Sequence, residues 1–397
     1  MSTLLTRRHV ISAAGQIGCG TALAVAVGGG LLARTSKADI GLISPLQLAD
    51  GNGIRLPEGF TSRVIAVSGL PVAGYTWHEF PDGGATFAQP DGGWIYVSNS
   101  ESSAAVSGGA SAIRFSADGQ ITSAYRILGG TRLNCAGGPT PWGTWLSCEE
   151  TAFGFVYECD PTGAAPARKL RALGAFKHEA AAVDPIHRHV YLTEDKTDGR
   201  LYRFTPRNYP DLSQGLLEVA GVDGTSGYVS WHVLPYPDPT SNPLTRLFPT
   251  RKQVSSSTPF NGGEGIWCHE GTIYFTTKGD NRVWALNTQT QVLRIIYDFA
   301  TSATPVLRGV DNLTVSPSGQ LLVAEDGGDM QLLVLDANGT AAPLLQVEGQ
   351  SKSEITGPAL NPAGTRLYFS SQRGPLNDGQ SLGVTYEVAG PFSEILR

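Results

Sequence analysis

Val190-Tyr191-Leu192-Thr193-Glu194-Asp195 is a short β-type run, apolar at its start, that stops at two acidic residues. Five other stretches share this form, an apolar run that ends at a polar or acidic cluster, and they lie at 95–101, 145–150, 273–280, 321–326 and 367–373. Successive runs begin about 50, 45, 83, 48 and 46 residues apart. Four of these five intervals match the repeat length of a propeller blade. The sequence therefore predicts an all-β fold, a six-bladed β-propeller, with room for an insertion in the one long interval.

The composition agrees with a turn-rich β protein. Of the 397 residues, 49 are Gly and 25 are Pro, and only 16% are charged, which disfavours a helical or disordered chain. One propeller can account for most of this length. We expect a leader segment at 39–56 and the propeller at 57–397. The proline-rich insertion at about 205–259 is expected to be part of a blade followed by a long ordered loop, either a lid or a packing excursion.

Residues 1–38 have the form of an export signal. Arg7-Arg8 precedes an apolar, glycine-containing stretch at 17–33, and Ser36-Lys37-Ala38 is a small-x-small cleavage site. The pattern resembles a twin-arginine signal, which predicts the Tat export machinery as a partner and a periplasmic or extracellular location. An uncleaved membrane anchor and lipidation of Cys19 are the alternative interpretations.

The chain is acidic once this segment is removed. Residues 1–38 carry four basic residues and no acidic one, so their removal leaves 25 Lys and Arg against 35 Asp and Glu, a formal charge of about −10. This charge disfavours binding to nucleic acid, which needs basic residues at the phosphates. Binding of cations explains the acidity better.

Each acidic run is preceded by a strand that should line the central channel, as the innermost strand of every propeller blade does. Counting seven residues back from the glycine of the intervening turn reaches four positions that should face one another: Glu264, Asn312, Ala136 and Gly357. Cys135 lies one step before Ala136, and Glu179 occupies the matching place in the third blade. We expect ligands to converge here.

Eleven acidic residues lie in these channel strands or at the ends of the strands that follow: Glu101, Glu149, Glu150, Glu179, Glu194, Asp195, Glu264, Asp280, Asp311, Glu325 and Asp326. Unit charges about 4 Å apart repel by roughly 4 kcal/mol at an effective dielectric constant of 20, and bound cations relieve that repulsion. Carboxylate and Asn oxygens suit hard cations such as calcium. Because adjacent residues of a strand point to opposite faces, one member of each acidic pair is expected to bind metal.

Cys135 indicates a second kind of metal, because a thiolate suits a transition metal better than calcium. The alternatives are a Cys135–Cys148 disulfide across a hairpin and a buried thiol. His178 is expected to pack or to hydrogen-bond, because it should face away from its neighbour Glu179. The sequence shows no Ser-His-Asp spacing, HExxH motif or phosphate-cradling glycine loop.

Several of these motifs resemble the PhoX-type alkaline phosphatase family of exported six-bladed propellers. The most specific is the stretch 134–150, which opens with Asn134-Cys135-Ala136-Gly137-Gly138 and closes with Ser147-Cys148-Glu149-Glu150. Shorter matches follow in the same order at 176–180, 190–195, 263–267, 311–313 and 325–328. The resemblance implies a mixed iron–calcium cluster on the propeller axis that hydrolyses phosphate esters.

Carried onto this sequence, the resemblance implies iron ligands at Cys135, Glu179 and Glu264, which are also expected to be catalytic. It implies calcium ligands, or residues that support them, at a larger set: Glu149 or Glu150, Glu194, Asp195, Asp311, Asn312, Glu325 and Asp326. Bound cations would polarise the phosphoryl group of a small phosphate ester. We expect the protein to be a monomer.

Two departures from the family pattern bear on activity. The family commonly has an arginine two residues before the glutamate that corresponds to Glu264, and this chain has Gly262 there. The asparagine-histidine-glutamate segment of the first blade reads Asn99-Ser100-Glu101. We expect Lys278 and Arg373 to supply the missing positive charge and to complete the catalytic set. Two other functions stay open, a calcium-dependent lactonase-like hydrolase and a non-catalytic, metal-stabilised propeller that binds a partner.

Overall fold

The structure is a computed structural model, and it describes residues 43–336, 338–375 and 382–396. The predicted export signal at 1–38 lies outside these residues. Six antiparallel sheets follow one another along the described chain. The innermost strands of consecutive sheets pack side by side, and the sixth packs against the first, so that the sheets close into a ring. The predicted six-bladed β-propeller is confirmed.

The blades are numbered from the first complete sheet, and each is given from the innermost strand outward. Blade 1 has Pro81–Ala88, Trp94–Ser100, Gly109–Phe115 and Ile121–Gly129. Blade 2 has Asn134–Pro139, Trp145–Glu149, Val156–Cys159 and Arg168–Leu170. Blade 3 has His178–Asp184, His189–Glu194, Leu201–Asn208, Asp211–Val222 and Val229–Val233. Blade 4 has Gly263–His269, Thr272–Thr277, Arg282–Asn287 and Val292–Asp298. Blade 5 has Val310–Val315, Leu321–Glu325, Gln331–Leu335, Ala341–Val347 and Ile54–Arg55. Blade 6 has Ile355–Leu360, Arg366–Ser371, Val384–Ala389 and Thr61–Val67.

The two ends of the described chain close the ring together. Thr61–Val67 is the outermost strand of blade 6 and pairs with Val384–Ala389. Ile54–Arg55 adds a fifth strand to blade 5, so the end of the predicted leader is part of a sheet. A small hairpin of Pro71–Val72 and Tyr75–Thr76 completes the strands, and the described helices are short: Arg171–Leu173, Pro239–Ser241, Thr245–Leu247, Thr250–Lys252, Lys278–Asp280 and Phe392–Ile395. Within the described residues, no helix has the length and apolarity needed to cross a membrane.

The apolar runs of the sequence are the second strands of the blades. Trp94–Ser100 and Leu321–Glu325 are buried at every residue, because each blade packs between its two neighbours and leaves neither face of this strand in water. Leu146, Val190 and Tyr202, for example, share one apolar cluster between blades 2 and 3. Every second strand therefore ends in a buried polar cluster on the same face of the ring.

The segment predicted as an insertion at about 205–259 begins with strands of blade 3 and continues as a loop. Leu201–Asn208, Asp211–Val222 and Val229–Val233 pair in order as the outer strands of blade 3. The irregular loop of blade 3 is confined to 234–262. It returns to the ring where Phe260 bridges Gly199 and Gly262 donates to the carbonyl of Lys196.

Candidate metal centre

A β-bulge interrupts the innermost strand of all six blades at the same place. In each blade two residues of the inner strand oppose one residue of the second strand. The first residues of the six bulges are Asp82, Cys135, Glu179, Glu264, Asp311 and Gly357. A bulge bends its strand and redirects a side chain. Five blades thus present an acidic or thiol group towards one region of the channel, which we call the hub.

Glycine or alanine is the second residue of four of the six bulges, and neighbouring inner strands approach closely there. A Cβ atom on Gly83 would lie 2.5 Å from the Cα atom of Ala136, and one on Gly265 would lie 2.5 Å from the backbone nitrogen of Leu313. Neither distance is possible for a side chain. The glycines let the ring close tightly around the first bulge residues.

Polar side chains of the second strands hold three of the bulges from the neighbouring blade. Asn99 donates to the carbonyl oxygens of Cys135 and Ala136 at 3.1 and 2.8 Å. Thr193 donates to the carbonyl of Glu264 at 2.5 Å, and Thr276 contacts that of Asp311 at 2.6 Å. The positions of the hub side chains are therefore set by contacts between blades.

Three acidic pairs divide as strand alternation requires. Glu149 accepts from the backbone nitrogens of Arg132 and Phe155, Glu194 accepts from the Tyr202 hydroxyl at 2.7 Å, and Glu325 accepts from the backbone nitrogens of Arg308 and Gln331. These three side chains serve their own blades. The following residues, Glu150, Asp195 and Asp326, are the members that contact other hub groups.

Four overlapping groups of ligand atoms lie at the hub, and within each group the atoms are within 4.8 Å of one another. They are Glu101, Cys135 and Glu150; Asp82, Glu101 and Glu354; Glu179, Glu264 and Asp311; and Asp311, Asp326 and Glu354. Each group draws its members from at least two blades. One continuous set of oxygen atoms with a single sulfur is thus gathered at the centre of the ring.

Burial and mutual repulsion act on these carboxyls together. Burial first, and then the charge of Asp311, raise the pKa of Asp82 to about 7. Burial and the Glu101 carboxylate raise the pKa of Glu150 to about 9. Burial, followed by the neighbouring Glu264 charge, holds the pKa of Glu179 well above its usual range. Such groups share protons at neutral pH unless cations are present.

Three basic residues offset part of this negative charge. Lys278 Nζ lies 3.2 Å from a carboxylate oxygen of each of Glu264, Asp311 and Asp326. Lys177 bridges the carboxylates of Glu150 and Asp195, and Arg373 contacts Glu354 at 2.7 Å. Burial opposes the charge of Lys278, but the surrounding carboxylates outweigh it and raise its pKa.

Cys135 is a free thiol, so the alternative of a Cys135–Cys148 disulfide is wrong. Its Sγ atom donates to Glu179 Oε1 at 3.0 Å. The second oxygen of Glu179 is buried with no hydrogen-bond partner among the described residues. Glu264 Oε1 likewise accepts no hydrogen bond, although Lys278 lies 3.2 Å away. Buried oxygen atoms without hydrogen bonds, next to a sulfur, are a donor set that fits a metal ion.

The structure brings together nine of the residues singled out in the sequence: Glu101, Cys135, Glu150, Glu179, Asp195, Glu264, Asp311, Asp326 and Lys278. Arg373 joins them through Glu354. The side chains of Glu149, Glu194 and Glu325 bond within their own blades and not at the hub. The Asn312 amide donates to Asp311 and accepts from the backbone nitrogen of Gly357. His178 is stacked on Phe176 and bonds the Gly174 carbonyl, as expected of a packed residue.

Sequence reasoning missed Asp82, Glu354 and Lys177. Asp82 lies ten residues before its turn glycine, Gly92, because the inner strand of blade 1 has eight residues where that of blade 2 has six. Glu354 immediately precedes the inner strand of blade 6. Both lie beside the motifs in the sequence, but the longer inner strand of blade 1 placed Asp82 beyond a count of seven from the turn glycine.

The chain was compared with known families and structures. Residues 83–152 and 151–296 match the family model described as alkaline phosphatase PhoX, which together is more than half of the chain. The structure resembles Pseudomonas fluorescens PhoX in complex with vanadate, with a TM-score of 0.72 and 18% identity, over 88% of this chain and 98% of that one. It also resembles the gluconolactonase XC5397 from Xanthomonas campestris, with a TM-score of 0.48 and 14% identity over 88% and 98%. No curated protein sequence matches the chain.

Proposed function

The chain belongs to the alkaline phosphatase PhoX family, and we propose that it is an exported phosphoesterase that hydrolyses small phosphate monoesters at an iron–calcium cluster in the hub. The observation that carries the proposal is the ring of equivalent bulges. Five of the six first positions hold Asp, Glu or Cys, and their ligand atoms belong to overlapping groups, in each of which the atoms lie within 4.8 Å of one another. Residues that served only the stability of each blade would have no reason to converge.

The donor types support a proposed division of the residues between the two metals. Cys135, with Glu179 and Glu264, would hold iron, because this group contains the sulfur and the buried oxygens without hydrogen bonds. Glu150, Asp195, Asp311 and Asp326 offer only oxygen and would hold calcium. When bound, the cations supply Lewis-acid polarisation of the phosphoryl group. Glu149, Glu194, Glu325 and Asn312 are proposed as supports of the blade, not as ligands.

Lys278 is the residue we propose to replace the arginine that the family pattern has at Gly262. A Cβ atom on Gly262 would lie 3.5 Å from Asp195 Oδ1 and 3.7 Å from Glu264 Oε1, so a side chain there would face the hub. The backbone nitrogen of Lys278 donates to the carbonyl of Gly262 at 2.8 Å, and its ammonium contacts the carboxylates of Glu264, Asp311 and Asp326. Cations bound to those carboxylates would free the ammonium to bind the phosphate, as Arg373 would from blade 6.

The same proposal covers location and partners. A twin-arginine signal at 1–38 would deliver the folded protein, with its metals, to the periplasm or the medium, where the Tat machinery is its transient partner. We expect it to act there as a monomer.

The test combines elemental analysis and phosphate release on the protein purified from its exported location. The wild type should contain iron and excess calcium and should release phosphate from phenyl phosphate. Cys135→Ala should lose the iron and at least a hundredfold in kcat/KM, while Cys148→Ala, which removes a buried free thiol of the neighbouring strand, should keep both. Calcium without iron in the wild type, with lactone hydrolysis that ignores Cys135, would favour the lactonase-like alternative. Metal-dependent melting without turnover on any ester would favour the binding module.

A further inference from the structure

A cavity of about 440 Å³ opens beside the hub, between blades 4 and 5. It lies where the second strands of these blades end, and its walls include Lys278, Asn281, Arg308, Gly309, Asp326 and Asp329. Cavities of roughly 300–1,000 Å³ hold small molecules. Because Lys278 and Asp326 belong to both the hub and the cavity, an ester whose phosphate is bound at the hub has room for its alcohol portion here.

Arg308 is a basic residue of this cavity whose guanidinium has no direct partner among the described residues. Lys278 is engaged by three carboxylates at 3.2 Å. The side chain of Arg308 is exposed, and among the described residues it forms no ion pair or hydrogen bond with its guanidinium. Three acidic residues also line the cavity. Asp326 contacts Lys278, and Asp329 is exposed to water. Glu325 accepts from the backbone nitrogen of Arg308, and the Arg308 charge offsets part of the burial that raises the pKa of Glu325. Arg308 therefore keeps all its donors for a ligand.

The backbone that carries Arg308 is firmly held. Leu307 is buried, and both its nitrogen and its carbonyl bond the Tyr297 hydroxyl, at 3.1 and 2.9 Å. The Arg308 nitrogen donates to Glu325 at 2.9 Å. Gly309 has the left-handed φ of +65°, and a Cβ atom there would lie 2.7 Å from the carbonyl oxygen of Asp326. A guanidinium on a fixed backbone loses less freedom on binding than one on a mobile loop.

We propose that Arg308 binds a second anionic group on the substrate, so that the preferred substrates are phosphate monoesters whose alcohol carries a further anionic group such as a carboxylate. A guanidinium binds a planar carboxylate through two parallel hydrogen bonds, which gives direction as well as affinity. The proposal rests on the proposed phosphoesterase function and adds a substrate class to it.

Binding of two non-hydrolysable phosphonates to the holoprotein tests the proposal by calorimetry. Benzylphosphonate and 4-carboxybenzylphosphonate differ only in the carboxylate. The wild type should bind the carboxylated compound at least tenfold more tightly, the factor that 1.4 kcal/mol represents. Arg308→Gln should abolish this preference and change the Kd of benzylphosphonate by less than twofold. Arg294→Gln, an exposed arginine on the outermost strand of blade 4, should behave as wild type.

A wild-type preference that survives in Arg308→Gln would overturn the proposal, and so would equal weakening of both phosphonates. Phenyl phosphate hydrolysis by the wild type reports separately on the proposed function. If that hydrolysis is absent, the phosphoesterase proposal fails, while the ratio of the two Kd values still decides whether Arg308 recognises the carboxylate.

Discussion

Lys278→Met should destabilise the metal-free protein at neutral pH, because Lys278 is the cation closest to three hub carboxylates. At 3.2 Å and an effective dielectric constant of about 20, each contact is worth roughly 5 kcal/mol of Coulomb energy. Protonation of a hub carboxyl limits the loss. Relative to the unfolded chain, where the carboxyl has an ordinary pKa near 4, holding a proton at pH 7 costs about 4 kcal/mol. About one third of the Lys278 side chain is exposed, which weakens the interaction further. We therefore expect a loss of about 3 kcal/mol.

Thermal unfolding in the presence of a chelator measures this loss. An unfolding entropy of about 2.1 cal/mol/K per residue over roughly 350 residues converts about 3 kcal/mol into a Tm decrease of about 4 °C at pH 7. At pH 5 the decrease should shrink to about 1 °C, because fewer carboxylates remain ionised. Saturating calcium should also reduce it, since cations then supply the positive charge.

Lys352→Met is the matched control, because Lys352 is an exposed lysine in the chain between blades 5 and 6. It should melt within about 1 °C of wild type under every condition. Equal Tm values for the two variants in chelator at pH 7 would refute the role given to Lys278. A loss that is the same at pH 5 and pH 7 would show that packing, not charge, is responsible.

Three further outcomes are expected. The metal-free wild type should lose stability as pH rises from about 4 to 9. Folded carboxyls such as Asp82 and Glu150, with pKa values of about 7 and 9, hold protons in this range that the unfolded chain has released. A Tm that is constant or rises over this range would contradict the raised pKa values. Glu150→Gln should lower the bound calcium measured by elemental analysis, while Glu149→Gln should leave it unchanged. The reverse result would mean that Glu149, and not Glu150, faces the hub. Asn99→Ala should lower the free energy of unfolding in denaturant titrations by about 2 kcal/mol and reduce iron content, because it removes the side chain that holds the Cys135 carbonyl; full iron occupancy would count against this positioning.

The fold was predictable because a blade is a local unit. Each apolar run such as Val190-Tyr191-Leu192 specifies a buried strand, and β-type runs that recur at this repeat length indicate a propeller. The extent of blade 3 was less predictable. Its prolines indicate a loop, yet Asp211–Val222 pairs along the blade, and Pro206 lies within the third strand. Propensity was overridden there by pairing with an adjacent strand.

The site was only partly predictable, because its residues come together through contacts between blades, which a local pattern does not specify. Alternation along a strand implies that one member of each acidic pair faces the channel, but it does not say which one. The structure selects Glu150 over Glu149 because the latter bonds the backbone of its own blade. Counting from turn glycines located Glu264, but it reached Asn312 where the first bulge residue is Asp311. Inner strands of unequal length shift such a count by a residue or more.

Residue order alone specifies the repeat, the acidic strand ends and the presence of one sulfur among carboxylates, because these are properties of short segments of chain. Only the closed ring decides that Asp82, Cys135, Glu179, Glu264 and Asp311, which are spread from blade 1 to blade 5, present their side chains to a common centre. Their convergence depends on bulges clamped by neighbouring blades and on glycines that permit close approach. Those contacts join residues far apart in sequence, and no local pattern records them.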